Sequence, residues 1–377
     1  MFAKSILSVI AGASLLVACG PSKMQIDPKN VANVVVRPAS GQNLFCPGDK
    51  FQVEIVAKLK DGTNCSSINP DLGCMGKKDS VIDANILRVE ATPGAPAGGP
   101  HPFVFVPDPN PLHTAATGMR LKAWIVGATG QQSDSAFAET VLKPVYQCQA
   151  MNTLGAPPPM GHGMHGGPGP ALRVTATTLS TPFYPDAVLI RIDATELGLT
   201  RYVISQSADM IVRIASKGQD GARGFPGAHG VAGSRGSNAS STCGKGGRGQ
   251  DGGPGGLGGP GGNGGPGGFV EVLMDAKASD KISARLRISS PGGNAGPGGW
   301  GGSGGPGGSG GSGGPSGAGC TGQSGENGHN GPAGPPGPSG IPGPSGPAPT
   351  FGTAPREKLF AGELGVIQQI EATPAPK

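Results

Sequence analysis

Aromatic side chains are scarce in this 377-residue chain: 11 Phe, 3 Tyr and 2 Trp, 4% of the total. That is too few for a platform on which sugars or bases stack. Charge is thin too. Asp, Glu, Lys and Arg make up 14%, the formal net charge is +5, and no dense Lys/Arg patch accompanies it. Nucleic acid is therefore not an expected partner. There is no Walker motif, no H-E-x-x-H and no EF-hand loop, and none of the seven cysteines forms a C-x-x-C pair. Zinc and thioredoxin-like chemistry have no support. Gly301-Gly302-Ser303-Gly304-Gly305 satisfies G-x-S-x-G, but a nucleophile elbow sits between a strand and a helix, and in a glycine tract the match is trivial. Asp193 and Glu196 read as solvated strand edges, and Phe269 and Trp300 as wedges between glycine segments and a sheet. No enzyme and no cofactor are expected.

What the chain has in excess is glycine (72) and proline (39), approaching the level of collagen-like or low-complexity chain. The excess is local. Residues 24–150 look globular, whereas 217–268 and 291–349 hold most of the glycine. From Ile26 the chain reads as short strands broken by turns. In FQVEIVAKL, Phe51, Val53, Ile55, Ala57 and Leu59 fall on one face and Gln52, Glu54 and Lys58 on the other, the period of a strand with one buried side. About seven such segments without a convincing helical run predict a β-sandwich over 26–150. Residues 151–171, which include APPPMGHGMHGGPGPA, read as a Pro/Gly linker. Within it Met160, His162, Met164 and His165 carry copper-type ligand atoms and are the only metal candidates, against the plainer reading of a flexible spacer with polar fill.

Beyond the linker, over 172–350, strand-like runs (ALRVTATTL, AVLIRIDATEL, MIVRIAS, FVEVLMD, ISARLRISS) alternate with glycine tracts, and 351–377 reads as a terminal strand and tail. The tracts are of two kinds. Gly218–Asn238 and Gly319–Ala348 are Gly-X-Y triplets, whereas Gly246–Phe269 and Pro291–Gly317 are Gly-Gly-X. A polyproline-II-type helix has three residues per turn and no internal hydrogen bonds. Gly-Gly-X lays two bare rows along it, which let neighbouring backbones approach until N–H meets C=O. The fold class expected is all-β with polyglycine-II or collagen-like helices: a sandwich first, then strands interleaved with glycine-rich helices. In the glycine-rich part, the blocks from Cys243 to Gly268 and from Gly292 to Cys320 are nearly equal in length and flank a strand pair, 269–275 and 282–289. Antiparallel packing of the two would bring Cys243 and Cys320 together, so that disulfide is predicted. A single chain is favoured, with a homotrimer as the alternative for Gly319–Ala348.

Three resemblances add to this. MFAKSILSVIAGASLLVACG has the layout of a secretory signal, and Leu16-Val17-Ala18-Cys19 resembles the lipobox of bacterial lipoproteins. The resemblance implies removal of 1–18, a lipid-bearing Cys19 at the head of a tether (19–25) and attachment to a membrane. Gly20, where an inner-membrane retention signal has Asp, implies the outer membrane of a Gram-negative cell, facing the periplasm or the surface. The Gly-Gly-X tracts resemble polyglycine-II bundles of phage tail-tip adhesins and the Gly-X-Y tracts resemble collagen, implying a bacterial collagen-like, glycine-rich lipoprotein with a structural or adhesive role and an unidentified surface or envelope ligand. GDKFQVEIVAKLKDGT resembles bacterial immunoglobulin-like domains, a spacer or binding module. Its four cysteines allow three pairings; the expected one is Cys65 with Cys74 and Cys46 with Cys148.

Overall fold

The computed structural model describes residues 20–97, 103–126 and 136–375. Cys19 and the leader lie outside the described residues. The chain forms two compact units, one of residues up to Asp108 with Gly118–Lys143, the other of Pro109–Thr117 with Pro144 onward.

The first unit holds β1 (Ser22–Met24), β2 (Val31–Pro38), β3 (Leu44–Phe45), β4 (Phe51–Leu59), β5 (Asn64–Ser66), β6 (Ser80–Ile82), β7 (Leu87–Thr92), β8 (Gly94–Pro96), β9 (Val104–Pro107), β10 (Met119–Ile125) and β11 (Phe137–Pro144). One sheet runs β3-β11-β10-β7, another β2-β4-β9-β8 with β5 beside β4, and β1 pairs in parallel with β6. Val34, Val36, Val53, Ile55 and Ala57 from the second sheet share one core with Leu121, Ala123 and Leu142 from the first. Alternation places these residues inside, as β4 predicts. Glu54 departs from that pattern. It is buried on the opposite face, where its carboxylate accepts from Ser66 (2.7 Å) and Arg37 (2.9 Å). A buried carboxylate needs such partners.

The second unit contains β12 (Met151–Leu154), β13 (Leu172–Leu179), β14 (Ala187–Ala194), β15 (Leu199–Ser205), β16 (Val212–Ser216), β17 (Val270–Asp275), β18 (Leu286–Ser289) and β19 (Thr350–Ala354), with helices α1 (Ser279–Ala284), α2 (Arg356–Leu359) and α3 (Leu364–Ala372). A three-stranded sheet runs β12-β16-β18 and a five-stranded sheet β15-β14-β13-β17-β19. Leu154, Val212, Ile214 and Leu286 from the first share a core with Val174, Ala176, Ile190, Val270 and Val272 from the second.

Several expectations need correction. Met151–Leu154 is a strand rather than linker, its Asn152 and Leu154 buried in a parallel ladder with β16. The stretch Ile282–Ser289 is not one strand. Its first residues close α1, so Ile282 and Arg285 are both buried, and Arg285 donates to the Asp186 backbone carbonyl (2.7 Å) and carboxylate (2.6 Å). As a strand, Ile282–Ser289 would alternate Ile282, Ala284, Leu286 and Ile288 against Ser283, Arg285, Arg287 and Ser289 and so put Arg285 on the polar face; the helical turn changes the phase. Residues 269–275 and 282–289 do not pair as a hairpin, because β17 and β18 lie in different sheets joined by α1. The C-terminal tail carries α2 and α3, with Leu359, Ile367 and Ile370 buried; spacing of i, i+3 gives α3 its apolar stripe.

The connections place the glycine tracts. β12, β16 and β18 are parallel neighbours in one sheet, and β13, β17 and β19 are parallel neighbours in the other. The chain leaves the three-stranded sheet after β12, β16 and β18, and each time re-enters the five-stranded sheet one strand further across, at β13, β17 and β19. All the glycine-rich chain lies in these three excursions: one tract in the first, an outgoing and a returning tract in each of the other two.

Candidate functional site: a backbone-bonded glycine bundle

Five tracts in three-residue register make up the bundle. They are Gly163–Gly169 (first), Gly218–Asn238 (second), Gly246–Gly268 (third), Pro291–Gly314 (fourth) and Gly322–Gly346 (fifth). The second runs parallel to the fourth, donating from Gly218, Gly221, Gly224 and onward to the carbonyls of Pro291, Asn294 and Pro297 at 2.9–3.0 Å. The third is parallel to the fifth, from Gly246 N–H to Gln323 C=O up to Gly267 to Pro344. These pairings continue the sheet ladders: β16 with β18 below the first pair, and β17 with β19 below the second. Antiparallel bonds then join the two layers. The third donates to the second (Gly256 to Ala228, 2.7 Å), the fourth to the third (Gly302 to Gly256, 2.9 Å), and the fifth to the fourth (Gly334 to Gly302, 2.8 Å).

Absent side chains make that cross-layer bonding possible. Face-packed sheets stand about 10 Å apart because side chains fill the space between them, too far for direct backbone bonds. In the fourth tract, a methyl on Gly302 would overlap the Ala228 carbonyl of the second tract. A methyl on Gly301 would overlap the Gly334 carbonyl of the fifth. Two neighbours on two sides require two bare rows, hence Gly-Gly-X. The second and fifth tracts are flanks, and a single glycine row faces the groove between the third and fourth. Gly230, for example, lies against Gly253 and Gly305, and Gly331 against Gly252 and Gly253. Gly-X-Y suffices there.

The segment expected as a linker is the first tract. Gly166 and Gly169 donate to Asn263 and Pro266 of the third (2.8 and 2.9 Å), while Gln219 and Ala222 of the second donate to Gly167 and Met164 (3.0 and 2.9 Å). Its glycines at 163, 166 and 169 are in triplet register, a short signal that the Met/His content obscures. Of the four copper candidates, His165 Nδ1 accepts from the Asn263 N–H (2.8 Å), His162 packs on Phe225 with ring centroids 5.1 Å apart, the Met164 carbonyl takes a bundle bond, and Met160 is 99% exposed. The contacts of His165, His162 and the Met164 backbone hold those three residues to the bundle, and Met160 stands out in solvent.

At the far end from the sheets, the turn between the second and third tracts meets the turn between the fourth and fifth. Cys243 and Cys320 are disulfide-bonded there, with Cα atoms 5.7 Å apart. The bond therefore closes the tip. Cys65 and Cys74 are bonded in the first unit, and Cys46 and Cys148 are also in disulfide form.

Side chains line the seam of the parallel second and fourth tracts. Asp220 accepts from the Asn294 N–H (2.6 Å), Arg223 lies 4.1 Å from the Trp300 ring centre, His229 Nδ1 and Ser303 Oγ share a hydrogen bond (2.6 Å), and Arg235 donates to Ser312 (3.1 Å). The Asp220 carboxyl stays below the usual range: burial works against its charge, and Lys217 and the Asn294 donors outweigh it. Trp300 is thus an exposed shelf for Arg223 rather than a wedge. Ser303 of the G-x-S-x-G match is one member of this series of seam contacts.

A second polar cluster lies on the five-stranded sheet where α3 begins. Arg191 donates to both Glu363 oxygens (3.0 Å each) and to Asp193 (2.9 Å), and Tyr202 Oη donates to Glu363 (2.5 Å). Asp193, which also accepts from Thr200 (2.8 Å), is a partnered group rather than a solvated edge. Burial, and the carboxylate that accepts its proton, push the Tyr202 phenol up to about 12. Beside this cluster, a groove of about 560 Å³ is lined by Arg173, Asp193, Thr200, Phe269 and Glu271 among others. Its charges are satisfied within the protein, Arg173 by Glu271 at 2.8 Å. Phe269 lines this groove.

No protein-family model matches this chain, no curated protein matches it, and no solved structure matches it.

Proposed function

We propose that the protein is a non-catalytic, lipid-anchored component of a bacterial envelope, held at Cys19. An immunoglobulin-like sandwich acts as spacer, and a polyglycine-II bundle acts as a stiff projection with a structural or adhesive role. The observation that carries this reading is the three-residue hydrogen-bond register shared by the four long glycine tracts between Gly218 and Gly346, anchored in two sheets at one end and clipped by Cys243–Cys320 at the other. Rigidity of that kind needs both anchors. A net backbone hydrogen bond contributes roughly 1 kcal/mol, and each glycine costs about 0.5–1 kcal/mol in chain entropy relative to alanine. Each triplet is therefore close to balance on its own, and the ends decide whether the bundle holds.

Disulfides fit an oxidising compartment. No described helix is long and apolar enough to cross a membrane; the anchor at Cys19 is proposed from the resemblance of Leu16-Val17-Ala18-Cys19 to a lipobox. The single-chain reading rests on the fifth tract, whose glycine N–H groups from Gly325 to Gly343 donate to the fourth tract of the same chain. A collagen trimer would need those donors for its partner strands. The test has two arms. Labelled palmitate should enter the wild-type protein and not Cys19→Ala, and soluble residues 20–377 should scatter light as a monomer. An unlabelled wild type would sink the anchor, and a trimer would sink the single-chain bundle.

A further inference from the structure

The first tract occupies only part of the groove in which it lies. It runs antiparallel to the second tract and parallel to the third. Ala222 donates to Met164, and Gly166 donates to Asn263. Three residues further along the same register, Gly163 would donate to Pro260. Instead it takes φ +70°, donates to Arg223 C=O (2.7 Å), and the chain turns out of the groove. Beyond that point the groove walls continue without an occupant. The N–H groups of Phe225, Ala228 and Val231 and the carbonyls of Pro260, Leu257 and Pro254 repeat the donor and acceptor rows that the first tract uses, and among the described residues none of them has a hydrogen-bond partner.

The groove floor is the third tract's second glycine row. Where the first tract lies, that row is enforced: methyls on Gly262 and Gly265 would overlap the Met164 and Gly167 carbonyls. At Gly259, Gly256 and Gly253 the nearest atoms to such a methyl are at 3.1, 3.0 and 3.3 Å, all on the second tract. One position further, the row holds Gln250, whose side chain bonds Ser234 (2.7 Å) and closes the lane. The bundle thus accepts a side chain in this row, yet the three positions between Gln250 and the first tract are bare. Phe225, Val231 and Leu257, exposed by 61, 79 and 64%, are the large apolar side chains along this stretch of the two tracts.

We infer that this lane binds a single extended Gly-X-Y segment of a partner polypeptide, about three triplets long and in polyproline-II conformation. The first tract shows which occupant fits. Its residues in the lane, from Met164 to Gly169, read Met-His-Gly-Gly-Pro-Gly, with one bare row at Gly166 and Gly169 to enter the groove and two rows free to vary. An incoming chain of the same kind would accept from Ala228 and Val231 and donate to Leu257 and Pro254, while its prolines pack on exposed apolar side chains, as in other recognition of preformed extended helices. The inference rests on the bundle proposed above and is independent of the lipid anchor.

Residues 20–377 would be titrated with a blocked four-triplet Gly-Pro-Ala peptide, and in parallel with a Pro-Pro-Ala peptide of equal length, while amide exchange is followed by NMR. Saturable binding of the first is expected, with Kd below about 1 mM, together with new protection of the Ala228 and Val231 amides. Ala228→Glu and Val231→Arg lie on the exposed rim and should raise Kd by about tenfold or more. Failure of the Gly-Pro-Ala peptide to bind, equal binding of Pro-Pro-Ala, or unchanged binding by both variants would each overturn the lane. The Gly253, Gly256 and Gly259 amides report separately on the bundle. Fast exchange there in the free protein would mean that the bundle itself is absent, whereas protected glycines with no peptide binding would reject the lane alone.

Discussion

The two halves of the second unit are built from the same paths. β16 and β18 continue into the second and fourth tracts, and the third and fifth tracts continue into β17 and β19. In the sheet half, Ile190, Val174 and Val212 stand between the layers and are fully buried. In the bundle half, glycine takes those positions away and the layers bond through N–H and C=O. One chain direction thus serves two kinds of cohesion. The first depends on side-chain volume and tolerates small backbone shifts. The second depends on having no volume at all.

That contrast can be broken most sharply by adding one methyl. Gly302→Ala places a carbon against the Ala228 carbonyl, where both groups are backbone, and we expect a loss of about 3 kcal/mol or more in denaturant unfolding. Gly253→Ala, at 3.3 Å from its nearest neighbour, should cost under about 1 kcal/mol. Equal effects would mean that the tracts do not pack as described.

Removing methyls should give the reverse ranking. Ile190→Ala in the sheets is expected to cost about 2–5 kcal/mol, and Leu257→Ala, 64% exposed on the bundle, within about 0.5 kcal/mol. Next in size is the tip. Replacing Cys243 and Cys320 by serine releases a 77-residue separation and should cost about 2–4 kcal/mol, with faster amide exchange spreading from Gly244 and Gly314 toward the sheets. Peptide mapping of the same protein tests the remaining expected pair, Cys46 with Cys148.

The smallest effect sharpens the sheet side. Burial, and then Glu363 accepting its proton, hold Tyr202 protonated and push its phenol up to about 12 from 10.0. Its contribution is complete below pH 10 and is lost as pH rises through about 12, because the unfolded chain releases that proton first. Tyr202→Phe should therefore flatten the fall in stability between those values; an unchanged slope would show that Tyr202 does not hold its proton in this way.

Much of this was legible. The triplet period and the two tract classes follow from residue order alone; the Cys243–Cys320 pairing was reached from the near-equal lengths of the two blocks, although the strand pair expected to turn the chain between them is not formed. The first tract was hidden because three triplets beside Met160 and His162 look like spacer. α1 was hidden because Ile282, Ala284 and Leu286 alternate as a strand would, and six residues of helix leave no competing period. The lane could not be read at all, since Gly253 and Gly262 hold the same position of a Gly-Gly-X triplet and the period says nothing of what lies above them.

By itself the sequence determined the local conformations: a bare position every third residue admits close backbone approach, and alternating apolar residues demand a buried face. Only the tertiary structure decided which tracts are central and which are flanks, and which sheet receives each strand. Those are choices of neighbour. They depend on hydrogen bonds between residues far apart in the chain, such as Gly302 with Gly256 and Gly246 with Gln323, and no local period encodes them.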